Sequence, residues 1–364
     1  MKTTSWIAKR FLLPGMLAVA LAPSVLAQNI SVFASGLNNP RGLKWGPDGN
    51  LYVAEGGAGG TTSTVGMCTQ VPDVGPYTGG FTSRVLKISP DGGTITPVAE
   101  NLPSSQTNAA QGSLVSGVAD VAFMGQSLYA IEAGAGCSHG LAGTDNGVLR
   151  VNADGTTTLV ADLSVFVKAH PVANPNPGDF EPDGTWYSMI AVNGSFYAIE
   201  PNHGELDSIS MGGNVRRIAD ISKVQGHIVP TALAFDGHNY VIGNLDTFPI
   251  KDGSSKIMKI TPGGAITTAY IGFSDILGLA YDVEGRLYVL ENTTGNPFPT
   301  PFTAKILRVD APNNYTVIAD GTSMMLALPT AMTFGPDGNL YVSNWGFGPP
   351  PIGMGQILKV TVPY

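Results

Sequence analysis

One short phrase returns six times along this chain: Leu51-Tyr52-Val53-Ala54-Glu55, Leu128-Tyr129-Ala130-Ile131-Glu132, Phe196-Tyr197-Ala198-Ile199-Glu200, Tyr240-Val241-Ile242, Leu287-Tyr288-Val289-Leu290-Glu291 and Leu340-Tyr341-Val342-Ser343-Asn344. Self-similarity at this interval marks a repeat architecture, in which each unit is too small to bury its own apolar face and must stack on the next. The tyrosines lie between 43 residues (197 to 240) and 77 residues (52 to 129) apart. The shorter spacing suits a bare four-stranded unit, and the excess elsewhere is inserted loop.

The flanks of the phrase give the unit its shape. Before it stands a tight turn, Gly46-Pro47-Asp48-Gly49-Asn50 in the first copy and Gly335-Pro336-Asp337-Gly338-Asn339 in the last. Proline presets φ at the first corner of such a turn and glycine supplies the positive φ. After it come a β-branched run and a second turn, as in Val85-Leu86-Lys87-Ile88-Ser89-Pro90-Asp91-Gly92, and then a fourth short run such as Thr157 to Ala161. Four short antiparallel strands per unit and six units predict an all-β, six-bladed β-propeller. The last unit has one further strand, Gln356 to Val360, and lacks its outermost one, whereas Ile30-Ser31-Val32-Phe33 precedes the first unit without a role. The N-terminal strand is therefore expected to complete the last blade and remove the open edges.

Residues 1–27 read as a secretory signal peptide: Lys2, Lys9 and Arg10, an apolar run from Phe11 to Leu26 broken by Pro14 and Pro23, and small or aliphatic residues before Gln28. Residues 28–364 are then expected to form a single propeller domain, secreted or periplasmic and monomeric, with no membrane span. Loss of the leader leaves 16 basic residues (19 minus 3) against 27 acidic ones, a net charge of −11. A surface of that sign is repelled by phosphate backbones and argues against nucleic-acid binding.

In a blade whose strands run from the channel outward, every Pro-Asp-Gly and Gly-Gly turn falls on one face of the disc. The long segments 56–82, 133–146, 164–186, 245–254, 292–304 and 345–355 fall on the other. Long ordered loops on a rigid scaffold are where binding and chemistry concentrate, so this loop face is the expected site of function. Cys68 and Cys137 lie in equivalent loops of adjacent blades, and a chain exported from the reducing cytosol is expected to join them, the alternative being two free thiols. Trp186, Tyr187, Phe248, Phe298, Phe302, Trp345 and Phe347 either offer stacking surface there for a small molecule, a glycan or a protein, or pack the long loops onto the disc.

Candidate chemistry is sparse. Glu55, Glu132, Glu200 and Glu291 share one position at the end of the second strand, where the fourth and sixth copies place Gly243 and Asn344. Such a partial ring has the oxygen ligands for calcium; the competing and preferred reading is that each glutamate hydrogen-bonds loop amides of its own blade. Among the histidines, His139, His170, His203 and His227 map to the loop face and His238 to the turn face, without metal-motif spacing. His203, within Glu200-Pro201-Asn202-His203-Gly204-Glu205-Leu206-Asp207, has carboxylates around it suited to proton transfer. No nucleophile elbow, phosphate loop or Cys-x-x-Cys occurs.

The phrases Asn202-His203-Gly204-Glu205-Leu206, Gly243-Asn244-Leu245-Asp246-Thr247-Phe248-Pro249, Leu290-Glu291-Asn292 and Val342-Ser343-Asn344-Trp345-Gly346-Phe347-Gly348-Pro349 make the chain resemble the ScyD/ScyE family of secreted proteins, whose broader relatives are propellers of the NHL and gluconolactonase type. The resemblance implies export and an accessory part in extracytoplasmic pigment or metabolite handling, and brings no defined reaction. The lactonase branch places Asn or Asp at the mouth of the inner strands; the matching positions are Arg41, Ala119, Tyr187, Thr231, Leu277 and Thr330, which lack the oxygen ligands of a catalytic calcium. Quinone-dependent dehydrogenase chemistry needs a cationic clamp, for which Arg41 stands alone. The expected function is thus a secreted binding module with its site on the loop face. The alternative is a hydrolase, lyase or isomerase at the channel mouth built on Arg41, Tyr187, His203 and His227.

Overall fold

The computed structural model describes residues 29–348 and 353–363, so the expected leader, residues 1–27, lies outside the described residues. The sheets form six antiparallel blades in chain order. From the channel outward, blade 1 is Pro40–Trp45, Leu51–Glu55, Thr78–Ile88 and Ile95–Gln106; blade 2 is Val118–Met124, Ser127–Glu132, Gly147–Val151 and Thr157–Asp162; blade 3 is Ser188–Val192, Ser195–Glu200, Glu205–Ser210 and Val215–Asp220. Blade 4 is Pro230–Phe235, Tyr240–Asn244, Ser255–Ile260 and Ile266–Phe273; blade 5 is Ile276–Tyr281, Leu287–Glu291, Lys305–Ala311 and Asn314–Asp320; blade 6 is Ala331–Phe334, Leu340–Asn344, Gly355–Val360 and, from the other end of the chain, Ile30–Leu37. Blade 1 departs from the four-strand expectation: its outermost strand of 12 residues overshoots its partner and pairs again with Val115–Ser116. Among the described residues no helix is long and apolar enough to cross a membrane.

Because successive strand residues point to opposite faces, each blade is apolar on both sides, and the core is a set of wedges between neighbouring blades rather than one central mass. The repeated tyrosine belongs to these wedges. Tyr52 meets Phe123 edge-on at 5.0 Å, Tyr288 meets Phe334 at 5.0 Å and Tyr341 meets Trp45 at 5.0 Å, each reaching the next blade around the ring. Its hydroxyl goes to the preceding turn: Tyr52 donates to Asp48 at 2.9 Å and Tyr341 to Asp337 at 3.1 Å. The same Asp48 accepts from Asn50, and Gly49 takes a φ of 77° to close the turn. The Pro-Asp-Gly-Asn-Leu-Tyr string is therefore one device, a turn whose carboxylate also fixes the tyrosine that docks the next blade.

The fourth copy of the phrase is one residue out of step. Tyr240 pairs with Phe235 as Leu51 pairs with Trp45 and Leu287 with Tyr281. The residue equivalent to the repeated glutamate in blade 4 is thus Asn244, which pairs with Pro230 as Glu55 pairs with Pro40, and not Gly243.

Closure follows the expectation. Ile30–Leu37 runs antiparallel to Gly355–Val360, from Ile30 opposite Val360 to Leu37 opposite Gly355. Phe33 packs on Tyr341 at 4.9 Å and on Trp45 at 6.2 Å, so the strand also seals the wedge between blades 6 and 1. Deleting residues 28–37 is expected to abolish the cooperative thermal transition in circular dichroism; an unchanged melting temperature would mean that the ring closes by other contacts. Cys68 and Cys137 form the expected disulfide, with Cα atoms 6.1 Å apart, joining the loops of blades 1 and 2 across 69 residues of sequence. Cys68→Ser with Cys137→Ser is expected to cost about 2–4 kcal/mol, read as a lower urea midpoint at unchanged slope.

Candidate functional site

The loop face is built around the link from blade 2 to blade 3, which starts with a short helix, Leu163–Ala169, capped by Asp162. Two acids of this link tie neighbouring loops together. Glu181, buried, accepts from Tyr77 Oη of blade 1 at 3.0 Å and lies 3.2 Å from His139 Nε2 of blade 2. Its backbone carbonyl is 2.8 Å from His203 Nε2 of blade 3. Asp183 accepts from the Ser138 amide at 2.7 Å and pairs with Lys168. Tyr77 stacks on His139 and Phe180 on His203. His227 is paired with Asp179 at 2.8 Å, and exposed His170 sits at the end of the short helix.

His203 is buried. The Glu181 carbonyl can only accept, which fixes the proton on Nε2, while Nδ1 lies 4.0 Å from Glu205 Oε1. Burial pulls the imidazole below its usual pKa, against the raising influence of Glu205. Glu205 is itself paired with Arg217, and Asp207 is buried beside it, held neutral-leaning by burial and by the Glu205 charge. The carboxylates that the sequence places around His203 are present, and they face inward.

The repeat-end carboxylates work in the same way. Glu55 accepts from the Asn38 amide at 2.8 Å and pairs with Arg84; Glu132 accepts from the amides of Ala133 and Gly134 at 3.0 and 2.8 Å. Glu200 accepts from the amides of Thr185 and His203 at 2.8 and 2.5 Å, and Glu291 from that of Ser274 at 2.7 Å. Asn244 takes the Lys256 amide at 2.8 Å and Asn344 the Ala327 amide at 2.7 Å. All six are buried, each is spent on its own loop or link, and the four glutamates form no shared cation site. Among the described residues no group of three or more His, Cys, Asp or Glu side chains converges as metal ligands would.

At the loop-side mouth of the channel the structure brings Arg41 and Tyr187 together but joins neither to His203 or His227. Tyr187 reaches from blade 3 to the opposite blade, donating to the Thr330 carbonyl at 2.8 Å, and shares a hydrogen bond with Arg41. Arg41 also donates to the Val115 carbonyl. Thr330 donates on to the Pro40 carbonyl at 2.7 Å, and Thr231 to the Ile276 carbonyl at 2.5 Å. The mouth positions thus form a polar bar across the channel, and a niche of about 30 Å³ lies beside Arg41 and Tyr187. Buried Asp275, at a φ of 49°, has no hydrogen-bond partner on either oxygen, and burial together with the Glu291 charge raises its pKa far above the carboxylate range.

The opposite end is open. Below the bar lies Asp120, whose oxygens accept from the amides of Val121 and Met189 at 2.8 Å each and whose pKa burial lifts to about 6 despite Lys44. Its room comes from Gly42, where an added Cβ would lie 1.9 Å from Asp120 Oδ1. Further on, the channel widens into a chamber of about 520 Å³ on the turn face. Its collar is the position paired with the first residue of the repeated phrase: Trp45, Phe123, Phe235, Tyr281 and Phe334, with Ala191 in blade 3 as the gap.

The aromatic candidates divide. Trp186 is 1% exposed and belongs to the wedge between blades 2 and 3, which corrects its reading as ligand surface. Phe248 and Phe298, from the loops of blades 4 and 5, are 43% and 57% exposed with ring centroids 6.0 Å apart. Those loops are clamped by Ile250 N to the Pro297 carbonyl at 2.8 Å and by Asp252, which accepts from the Gly295 amide at 2.8 Å. Half-buried Trp345 meets Phe302 edge-on at 5.7 Å, and Phe347 follows it, half-buried.

No protein-family model matches the chain, and no curated protein matches it in sequence. Solved structures do match in fold. A putative oxidoreductase (glucose dehydrogenase) from Thermus thermophilus is 15% identical over 91% of this chain and 99% of its own, with a TM-score of 0.57. A gluconolactonase from Xanthomonas campestris is 12% identical over 92% of this chain and 89% of its own, with a TM-score of 0.53. A streptogramin B lyase is 13% identical over 92% and 97%, with a TM-score of 0.50. Similarity at this level establishes the propeller fold alone and carries no activity with it.

The buried glutamates predict an unusual pH profile. Burial lifts Glu132 and Glu200 to about 8 and Glu291 to about 7, against the opposing pull of their amide hydrogen bonds. A carboxyl whose folded pKa exceeds its unfolded value gives its full stabilisation below about 4.5, and that stabilisation is lost as pH rises toward 7–8. Turn carboxylates such as Asp236 and Asp337, held near 2 by hydrogen bonds and lysine partners that outweigh their desolvation, lose theirs only in stronger acid. The melting temperature is expected to fall by at least ~3 °C between pH 5 and pH 8. Glu132→Gln should flatten that slope; a flat or rising parent profile would refute the account.

Proposed function

We propose that this protein acts outside the cytoplasm as a binding module, holding a glycan or another ring-bearing small molecule on the loop face over blades 4 to 6. The observation that carries the reading is the Phe248–Phe298 pair: two exposed rings stacked on one another at 6.0 Å, on two loops clamped to each other. Stacking surface held rigid before binding loses little entropy on contact, and that is what an affinity site needs. Trp345 and Phe347 extend the same face, and Tyr187 belongs to the bar that floors it. The leader-like N-terminus and the Cys68–Cys137 bond fit an oxidising compartment. The resemblance to the ScyD/ScyE family adds an accessory role in extracytoplasmic pigment or metabolite handling.

The enzyme reading has less support. Arg41 is engaged with the Val115 carbonyl of its own blade and Tyr187 with the Thr330 carbonyl across the channel, and His203 and His227 are paired within the loops rather than with them. Phe248→Ser with Phe298→Ser is expected to leave the melting temperature within ~2 °C, as exposed substitutions do. It should also weaken retardation in affinity gels containing soluble β-glucan, xylan or mannan at least tenfold. Equal retardation of parent and variant, or turnover of sugar lactones that disappears in Arg41→Ala, would overturn the binding reading.

A further inference from the structure

The chamber at the turn-face end of the channel lies on the opposite side of the disc from the proposed loop-face site and is separated from it by the Tyr187–Thr330 bar. At about 520 Å³ it is in the size range of small-molecule sites. Its walls are the inner edges of the sheets, where the innermost strands have backbone amides and carbonyls without a further strand to pair with. Its rim is the aromatic collar, interrupted at Ala191.

One charged side chain lines this chamber. Lys44 stands where the other blades place Ala122, Ile190, Ala234, Ala280 and Thr333, and it also lines the narrower channel above. Among the described residues its ammonium has neither a hydrogen bond nor an ion pair; Asp120 acts on it through the field, while each Asp120 oxygen accepts a backbone amide. A lysine in a channel without a direct partner is not an arrangement that folding requires, because no contact of its ammonium holds the structure together. It is a productive one for a ligand that brings its own anion. The single cation suits one negative group, and Asp120 nearby disfavours a second.

We propose that the turn-face chamber binds a small organic monocarboxylate with a flat apolar body, the carboxylate at Lys44 and the body within the aromatic collar. The exposed strand edges supply further hydrogen-bond partners, and the Ala191 gap leaves the entry open on the blade 3 side.

The test uses the mature chain, with 2-naphthylacetate as probe and its neutral isostere 2-naphthylacetamide as control, followed by titration calorimetry and by quenching of Trp45 fluorescence. Wild type should bind the acid saturably at one per chain and at least tenfold more tightly than the amide. Lys44→Met should weaken the acid at least tenfold and erase the preference, while Lys44→Arg should stay within about threefold of wild type. Ala191→Trp, which fills the gap in the collar away from Lys44, should weaken acid and amide alike; it decides between the outcomes should Lys44→Met not fold. Equal affinity for acid and amide, acid binding unchanged in folded Lys44→Met, acid binding unchanged in Ala191→Trp, or no saturation at millimolar probe would each overturn the proposal.

Discussion

A four-stranded blade that is apolar on both faces can be kept from water only by a neighbour on each side, and in this protein every other feature depends on that contact. In a linear stack the first and last units would each leave one such face bare. Closing the stack into a ring removes both ends at once, but only if the first and last blades are joined through something stronger than side-chain packing. The pairing of Ile30–Leu37 with Gly355–Val360 does this with backbone hydrogen bonds, and Phe33, Trp45 and Tyr341 fill the wedge it draws together. The rigidity of the ring then lets long loops on one face hold fixed positions with only short helices of their own.

Those loops set a second requirement. A segment that leaves a strand end and folds back over the disc buries backbone amides that no sheet satisfies. Glu55, Glu132, Glu200, Asn244, Glu291 and Asn344 meet that requirement from one structural position, each accepting an amide of its own loop or link. Asparagine and glutamate are interchangeable there because the needed group is an acceptor oxygen, not a charge. The glutamates therefore tolerate burial that pushes them toward protonation, and a ring that resembles a cation site in the sequence is a set of loop anchors.

The sequence displayed the periodic part of the molecule because periodicity is a property of local strings: turn chemistry, strand alternation and the Leu-Tyr phrase all lie within a few residues of one another. Blade number, the closing strand and the Cys68–Cys137 pair follow from counting those strings. What was hidden depends on register and distance. The one-residue slip at Tyr240 made Gly243 look like an exception when Asn244 fills the position. Trp186, in a loop-like stretch beside Tyr187, looked like surface because nothing local shows that it enters the wedge between blades 2 and 3. Glu181 gave no signal, since its partners Tyr77 and His139 are 104 and 42 residues away. Lys44 was visible in principle, as a lone charge in a repeat position otherwise uncharged, but only after the innermost strands had been aligned.

Aligning the innermost strands also shows why the two ends of the channel differ. Six strands converge on an axis with their first residues at the loop face and their last at the turn face. Tyr187, immediately before the innermost strand of blade 3, is long enough to cross the axis and meet blade 6, so one side chain is sufficient to bar the loop-side mouth. At the other end the collar aromatics are drawn sideways into the wedges by the repeated tyrosines, as Phe123 is by Tyr52 and Phe334 by Tyr288, and so they border the axis without crossing it. The same contact that docks blade to blade therefore holds the turn-face chamber open, and among the described residues only short turns surround its entrance.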